Sequence, residues 1–326
     1  MTQNSPPLPR TILLQAARKP LAQRILSRFP DLPLTACGDY QAVIKALETE
    51  QPEAMLAFKV GKKEPFPREA ILGCDSIKWI QASGAGVDHW TPWDTNRVTI
   101  TNASGIHAEV MAQYTIWAIL NHRLGFPRMA QKQAESIWDK KLLVSATGAT
   151  LAVVGFGRIG QEVGRLGRAL GMKVIGVRTR PAPSPHADDV VGMDRLDEVL
   201  GQADYVLNVL PLTADTKGLF GSKVFAAMKK GAYLINTGRG HIVDEVALIA
   251  ALKSGHLSGA TLDVFATEPL PADNSLWQMK NVIITPHTAG DAENWENEVA
   301  ELFCDNLQRW IDGDPLQNIV DPVRGY

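Results

Sequence analysis

Residues 150–170 read TLAVVGFGRIGQEVGRLGRAL, and their order decides the fold. The strand-type run Thr150–Val154 leads directly into Gly155-Phe-Gly157-Arg-Ile-Gly160, and from Gln161 to Leu170 apolar residues recur at helical spacing. A glycine fingerprint on its own is weak, but a strand before it and a helix after it are the context that gives it meaning. The first glycine permits a tight turn, the second lets a pyrophosphate approach the backbone, and the third lets helix and strand pack closely. The helix N-terminus then offers unpaired N–H groups and a positive dipole end to phosphates. The alternative is a glycine turn that binds nothing.

Working outward, short runs that are apolar at nearly every position recur at Leu151–Val154, Lys173–Val177, Tyr205–Leu210, Tyr233–Asn236, Ala260–Val264 and Val282–Thr285. Such runs suit strands covered on both faces, and the helical patterns between them supply the crossovers that parallel strands need. The first hundred residues repeat the rhythm more weakly. Strands are expected at Thr11–Gln15, Ala54–Phe58, Trp79–Gln81 and Val98–Thr101, with a helix over Gln41–Glu48. Glu109–Leu120 reads as a long buried helix, and Glu293–Ile311 as another that returns to the N-terminal domain. The expected fold class is therefore α/β, with two doubly wound parallel-sheet domains. A Rossmann nucleotide domain spans 104–290, and a smaller, flavodoxin-like substrate domain combines 1–103 with 291–326.

The bulk properties remove several classes of function. At 326 residues, 45% hydrophobic and 21% charged, the chain suits two globular cores. A net charge of -2 leaves no basic footprint for nucleic acid. No apolar run reaches the roughly 20 residues that span a bilayer. Met1–Arg10 is polar and proline-rich, unlike a signal segment. Cys37, Cys74 and Cys304 are odd in number and not spaced as metal ligands, so no metal is expected and reduced thiols in a cytoplasmic protein are.

The strand ending at Val177 is followed by Arg178-Thr179-Arg180, where an acid would ordinarily hold the adenosine ribose of NAD. Two guanidinium groups and a hydroxyl suit a ribose 2′-phosphate instead, so NADP(H) is expected over NAD(H). Solvated surface arginines are the alternative.

In an open parallel sheet, ligands collect at the carboxyl ends of the strands. Here those ends read Leu210-Pro211-Leu-Thr213, Thr237-Gly238-Arg239-Gly240, Asp263 with Glu268 close behind, and Thr285-Pro-His287-Thr-Ala-Gly290. A cation, carboxylates and an imidazole converge on one edge. From about Trp79 onward the chain resembles the D-isomer-specific 2-hydroxyacid dehydrogenase family. The matching stretches are GAGVDHW (84–90), VVGFGRIG (153–160), LPLTADTKGL (210–219), INTGRGHIVDEVAL (235–248), TLDVFATEPLP (261–271) and TPHTAG (285–290), and the ending through Gly325-Tyr326 is similar too.

The chemistry fits that resemblance. Hydride transfer from a nicotinamide to the carbonyl carbon of a 2-oxo acid builds negative charge on the carbonyl oxygen, which must receive a proton. Histidine has a suitable pKa, and a paired glutamate would raise it. The resemblance makes His287 this acid and base, and Glu268 its partner. Arg239 suits the substrate carboxylate and carbonyl oxygen. By the same resemblance the Ala85 and Gly86 N–H groups cradle the carboxylate, and Asp263 hydrogen-bonds the nicotinamide carboxamide. The implied cofactor contacts also include Gly155, Gly157, Arg158, Ile159, Gly160, Leu210, Pro211, Thr216, Thr237, Gly238 and Gly290. His107, His122, His241 and His256 read as surface or helix residues.

Among family members, the arginine pair makes the chain most similar to NADPH-dependent glyoxylate and hydroxypyruvate reductases. The reading from another class is a nucleotide-sensing, corepressor-like binding protein of the same fold. Trp90, Trp93 and Trp138 are candidates for the substrate pocket, with core packing the alternative for at least two. Arg123–Trp138 resembles the family's dimerising arm, which implies a homodimer.

Overall fold

A computed structural model describes residues 7–60, 64–322 and 324; Met1–Pro6 and the terminal Gly325 and Tyr326 lie outside them. The chain divides into two compact units, Met1–Ile106 with Ala292–Tyr326, and His107–Asp291.

In the first unit β1 (Thr11–Leu14), β2 (Leu34–Cys37), β3 (Ala54–Ala57), β4 (Trp79–Ala82) and β5 (Thr99–Thr101) form one parallel sheet in the order β2-β1-β3-β4-β5. Between them run α1 (Arg18–Arg28), α2 (Tyr40–Glu50) and α3 (Arg68–Gly73). Asp39 starts α2 by accepting the Ala42 N–H at 2.8 Å, which satisfies a donor that the helix itself leaves unpaired. The sheet buries Ile12, Leu14, Met55, Leu56 and Ile80 completely. The C-terminal helix Trp295–Asp312 closes this core with Val299, Phe303 and Leu307. The indole of Trp79 stacks on Phe303 with centroids 5.0 Å apart. Gln81, fully buried, would be costly without partners, at about 1–3 kcal/mol for an orphaned group. Its carbonyl oxygen instead accepts from Thr101 at 2.8 Å and Asn306 at 3.0 Å, tying helix to sheet.

Three elements of this unit were not expected: β2, α1 and the six-residue α3, which buries only Ile71. Strand β2 is an edge strand whose residues are largely half-exposed, so it lacks a continuous apolar run. Helix α1 buries only Leu21 and Ile25, too thin a stripe to stand out among its charges.

The second unit begins with α4 (Ala108–Arg123) and α5 (Phe126–Ala134). Its sheet comprises β6 (Thr150–Val154), β7 (Lys173–Val177), β8 (Asp189–Val191), β9 (Tyr205–Asn208), β10 (Tyr233–Asn236), β11 (Gly259–Leu262) and β12 (Val282–Ile284). The order is β12-β11-β10-β9-β6-β7-β8 and every pairing is parallel. Chain direction across the sheet reverses between β6 and β9, the switch point at which doubly wound sheets open a crevice for ligands. Helices α6 (Arg158–Ala169), α7 (Leu196–Gln202), α8 (Ser222–Ala227) and α9 (Glu245–Lys253) make the crossovers.

Helix α6 starts at Arg158, three residues before the expected Gln161. Strand β9 stops at Asn208 rather than Leu210, because the Asn208 side chain takes the Leu210 N–H at 3.3 Å and turns the chain. Edge strand β8 is only three residues long and acidic at its start, which hid it. Helix α4 is buried along one face only: Met111, Ala112, Thr115, Ala118 and Ile119 point inward, while Trp117 is 45% exposed. No helix among the described residues is long and apolar enough to cross a membrane.

Candidate active site

The glycine turn sits where β6 and β9 adjoin. Gly155 has φ +107°, and a Cβ there would stand 2.8 Å from the Val209 carbonyl, so both conformation and space demand glycine. A Cβ on Gly160 would lie 2.6 Å from the Gly155 oxygen. Gly157 faces open space, with nothing within 4 Å of the same position. It is the N-cap of α6 and no side chain caps the helix, whose N-terminus, with Arg158, Ile159 and Gly160, is left to an anion. At the neighbouring strand end, Thr237 is 5% exposed and its hydroxyl finds no partner among the described residues. An open glycine edge, an uncapped helix and an orphaned buried hydroxyl together fit a dinucleotide.

Arg178, Thr179 and Arg180 follow β7 directly. Arg178 is half-buried with its backbone N–H on the Val191 carbonyl at 3.1 Å; Thr179 and Arg180 are exposed. Neither guanidinium joins an ion pair with any described residue.

Further along the sheet edge, two buried asparagines shape the loops. Asn208 donates to Asn236 at 2.9 Å, and the Asn236 oxygen also accepts the Gly238 N–H at 3.3 Å. A Cβ on Gly238 would meet the Leu210 oxygen at 2.8 Å, so this loop packs backbone to backbone against Leu210. Arg239 follows, half-buried, its guanidinium donating to the Gly238 carbonyl at 2.9 Å. Thr216 lies farther out and is occupied within its own loop, donating to the Pro211 carbonyl at 2.7 Å.

Past β11, Asp263 is 2% exposed. Its carboxylate accepts from the Thr285 hydroxyl at 2.5 Å, the Thr288 N–H at 2.9 Å and the Ala289 N–H at 3.0 Å. Its carbonyl accepts the His287 N–H at 2.8 Å. His287 lies in the left-handed region at φ +58°, a conformation uncommon for a side-chain-bearing residue. Its Nδ1 is 2.8 Å from Glu268 Oε2, while Glu268 Oε1 takes the Phe265 N–H at 2.9 Å. The imidazole remains half-exposed.

Charge distribution follows from these contacts. Burial works against ionisation of Glu268. The His287 and Phe265 hydrogen bonds and the charges of His287 and Arg239 overcome it, holding the carboxyl below its ordinary range. The Glu268 hydrogen bond raises the His287 pKa; burial and Arg239 pull it down, and the charges of Glu268 and Asp263 push it up. An ionised Glu268 only accepts, so Nδ1 carries a hydrogen and Nε2 is left for proton exchange.

In the first unit, Ala85 and Gly86 are half-buried in the loop after β4. The Ala85 carbonyl accepts from Asn102 at 2.8 Å, whereas neither N–H meets an acceptor among the described residues. Trp90 is fully buried and Trp93 packs against the same core, while Trp138 is 96% exposed.

His107 stands at the N-cap of α4. Its Nδ1 donates to the Gly290 carbonyl at 2.8 Å, so it grips the end of the loop that carries His287. Tyr114 was missed by the sequence reading: its hydroxyl lies 2.7 Å from that of Thr285. Partners so distant in sequence leave no local pattern.

Comparison with known proteins adds four findings. Residues 116–289 match the NAD-binding domain of D-isomer specific 2-hydroxyacid dehydrogenases. A glyoxylate reductase of Thermococcus litoralis is 32% identical over 268 residues, covering 78% of this chain and 80% of that protein. Among solved structures, a D-isomer specific 2-hydroxyacid dehydrogenase from Xanthobacter autotrophicus Py2, in complex with NADPH and MES, superposes with TM-score 0.86. It is 29% identical, with 98% and 100% of the two chains covered. An NADPH-dependent glyoxylate/hydroxypyruvate reductase from Sinorhizobium meliloti, in complex with NADP and sulfate, gives 0.83 at 25% identity, with 97% and 99% covered.

Proposed function

The chain belongs to the D-isomer-specific 2-hydroxyacid dehydrogenase family of oxidoreductases, and we propose that it reduces a small 2-oxo acid, of the glyoxylate or hydroxypyruvate kind, to the D-2-hydroxy acid with NADPH. The observation that carries this reading is the His287–Glu268 pair, 2.8 Å apart on a sheet edge beside Arg239. When bound, the nicotinamide would supply a hydride, two electrons together with one hydrogen, to the carbonyl carbon.

The residues divide the remaining work. Arg239 orients the substrate carboxylate and counters charge on the carbonyl oxygen, a role for which a planar fork of donors is suited. His287, protonated, delivers its Nε2 proton to that oxygen, and Glu268 keeps the ring charged and aimed. In the other unit, the open N–H groups of Ala85 and Gly86 are suited to a carboxylate. Asp263 serves the loop and, on one further lone pair, the carboxamide. The reduced thiols fit a cytoplasmic setting. Turnover of glyoxylate and hydroxypyruvate, followed by NADPH absorbance, tests the reading.

The NADPH preference rests on Arg178 and Arg180, whose side chains are uncommitted where a 2′-phosphate would lie. Charge-assisted contacts contribute about 1.5–3 kcal/mol. The ratio of kcat/KM for NADPH over NADH is therefore expected to exceed roughly tenfold and to collapse in Arg178→Asp. A wild-type preference for NADH, or an unchanged ratio in the variant, removes this part of the reading.

We also assign the exposed arm to a second copy of this chain. Phe126, Ile137, Trp138, Leu142, Leu143 and Val144 are each between 49% and 96% exposed, a concentration of apolar surface that marks an interface. The wild type is expected to sediment at twice 35.5 kDa, and Leu142→Asp with Leu143→Asp to sediment as a monomer. A monomeric wild type contradicts the assignment.

A further inference from the structure

Helix α4 is not used by the chemistry described so far, yet two of its residues reach the turn that presents His287. Those residues, His107 at the N-cap and Tyr114, are seven positions apart, two helical turns, and so share one face. His107 holds Gly290 at the far end of the turn, and Tyr114 holds Thr285 at its beginning.

The direction of the hydrogen bonds at Thr285 is fixed by valence. A carboxylate only accepts, so the single hydroxyl hydrogen of Thr285 goes to Asp263 Oδ1, at 2.5 Å. Thr285 must then accept from Tyr114, whose phenol donates across 2.7 Å. Burial pushes the Tyr114 phenol well above its ordinary range, so it keeps its hydrogen throughout the physiological range. The result is a one-way chain, Tyr114 to Thr285 to Asp263, in which each bond polarises the next.

Asp263 is the hub. Through two carboxylate oxygens and its carbonyl it holds Thr285, His287, Thr288 and Ala289 together. A left-handed φ at His287 costs free energy and persists only where its surroundings over-determine it. These contacts provide that determination. Resting on the reaction proposed above, we propose that Tyr114 and Thr285 are positioning residues for it: their hydroxyl chain orients Asp263, and Asp263 sets the turn that aims His287 at Glu268. Neither residue touches the reacting atoms.

The test uses Thr285→Val, which keeps the branched shape and deletes the hydroxyl, Thr285→Ser, which restores it, and Tyr114→Phe, which deletes one oxygen. The first readout is the NMR titration of the His287 imidazole in cofactor-free protein, assigned by its absence in His287→Asn. The groups that set this midpoint are Glu268, Arg239 and Asp263. A loosened turn weakens the Glu268 contact, so the midpoint falls by about half a unit in Thr285→Val, moves the same way in Tyr114→Phe, and returns in Thr285→Ser. The second readout is kcat, expected to fall roughly tenfold in Thr285→Val, with Tyr114→Phe adding nothing on that background because it acts through Thr285.

An unchanged midpoint and kcat in Thr285→Val, with only the melting temperature lowered, overturns the proposal; so do additive effects of the two variants. Should Thr285→Val fail to fold, Tyr114→Phe decides alone: a lowered midpoint supports the chain, and an unmoved one overturns it. Because the titration needs no substrate, it decides the positioning role separately from wild-type turnover, which decides the reaction.

Discussion

His287→Asn is expected to lower kcat for 2-oxo acid reduction by roughly 10²- to 10⁴-fold, the range that a positioned general acid contributes. Asparagine retains a polar group facing Glu268 but cannot cycle a proton. Dissociation constants for the nucleotide should stay within about twofold, since the glycine turn and arginine pair lie elsewhere on the sheet. The wild-type pH profile carries the same information. Glu268 raises the His287 pKa above its ordinary 6.5, so the protonated, reducing form persists to higher pH. Reduction is flat below that pKa and falls about tenfold per unit above it. Oxidation needs the neutral ring and rises over the same interval. Glu268→Gln removes the largest raising influence and shifts both limbs to lower pH. Parallel profiles in the two directions, or a His287→Asn enzyme with a retained limb, would assign the proton to another group.

Arg239→Ala is the second large effect, an expected loss of about 10³-fold in kcat/KM. Removing one preorganised donor from a developing oxyanion costs about 10²–10³ in rate, and the lost carboxylate contact adds to that. The Arg239 charge also depresses the His287 pKa, so its removal moves the alkaline limb upward, opposite to Glu268→Gln. Arg239→Lys keeps charge but not the planar fork, and should recover only part of the loss. Equal kcat/KM in wild type and Arg239→Ala, read by initial rates, would remove arginine from the substrate site.

How far the sequence carried this account depended on whether function imposed a residue type. Gly155 and Gly160 were legible because backbone geometry allows nothing else there. Strands β6, β7, β9, β10 and β11 were legible because burial on both faces forces nearly continuous apolar runs. The half-buried edge strand β12 was legible from its apolar run Val282–Ile284, whereas the edge strands β2 and β8, with little apolar run, were not. Arg239 and His287 stood out as charged or titratable groups at strand ends. Glu268 was read through family resemblance, and the structure sets it 2.8 Å from His287 across 19 positions of chain. Tyr114 was illegible for a physical reason. A tyrosine on an apolar helix face reads as core, and only the fold brings its hydroxyl to a threonine 171 residues away. His107 was hidden likewise, its partner being 183 residues distant.

The most direct measurement is the oxidation of NADPH by the wild-type protein against glyoxylate, hydroxypyruvate and larger 2-oxo acids, with Arg239→Ala as control. The account predicts turnover of at least one small 2-oxo acid, absent without the acid and reduced about 10³-fold in the control. NADPH binding with no turnover of any 2-oxo acid, as a nucleotide-sensing protein would give, contradicts it.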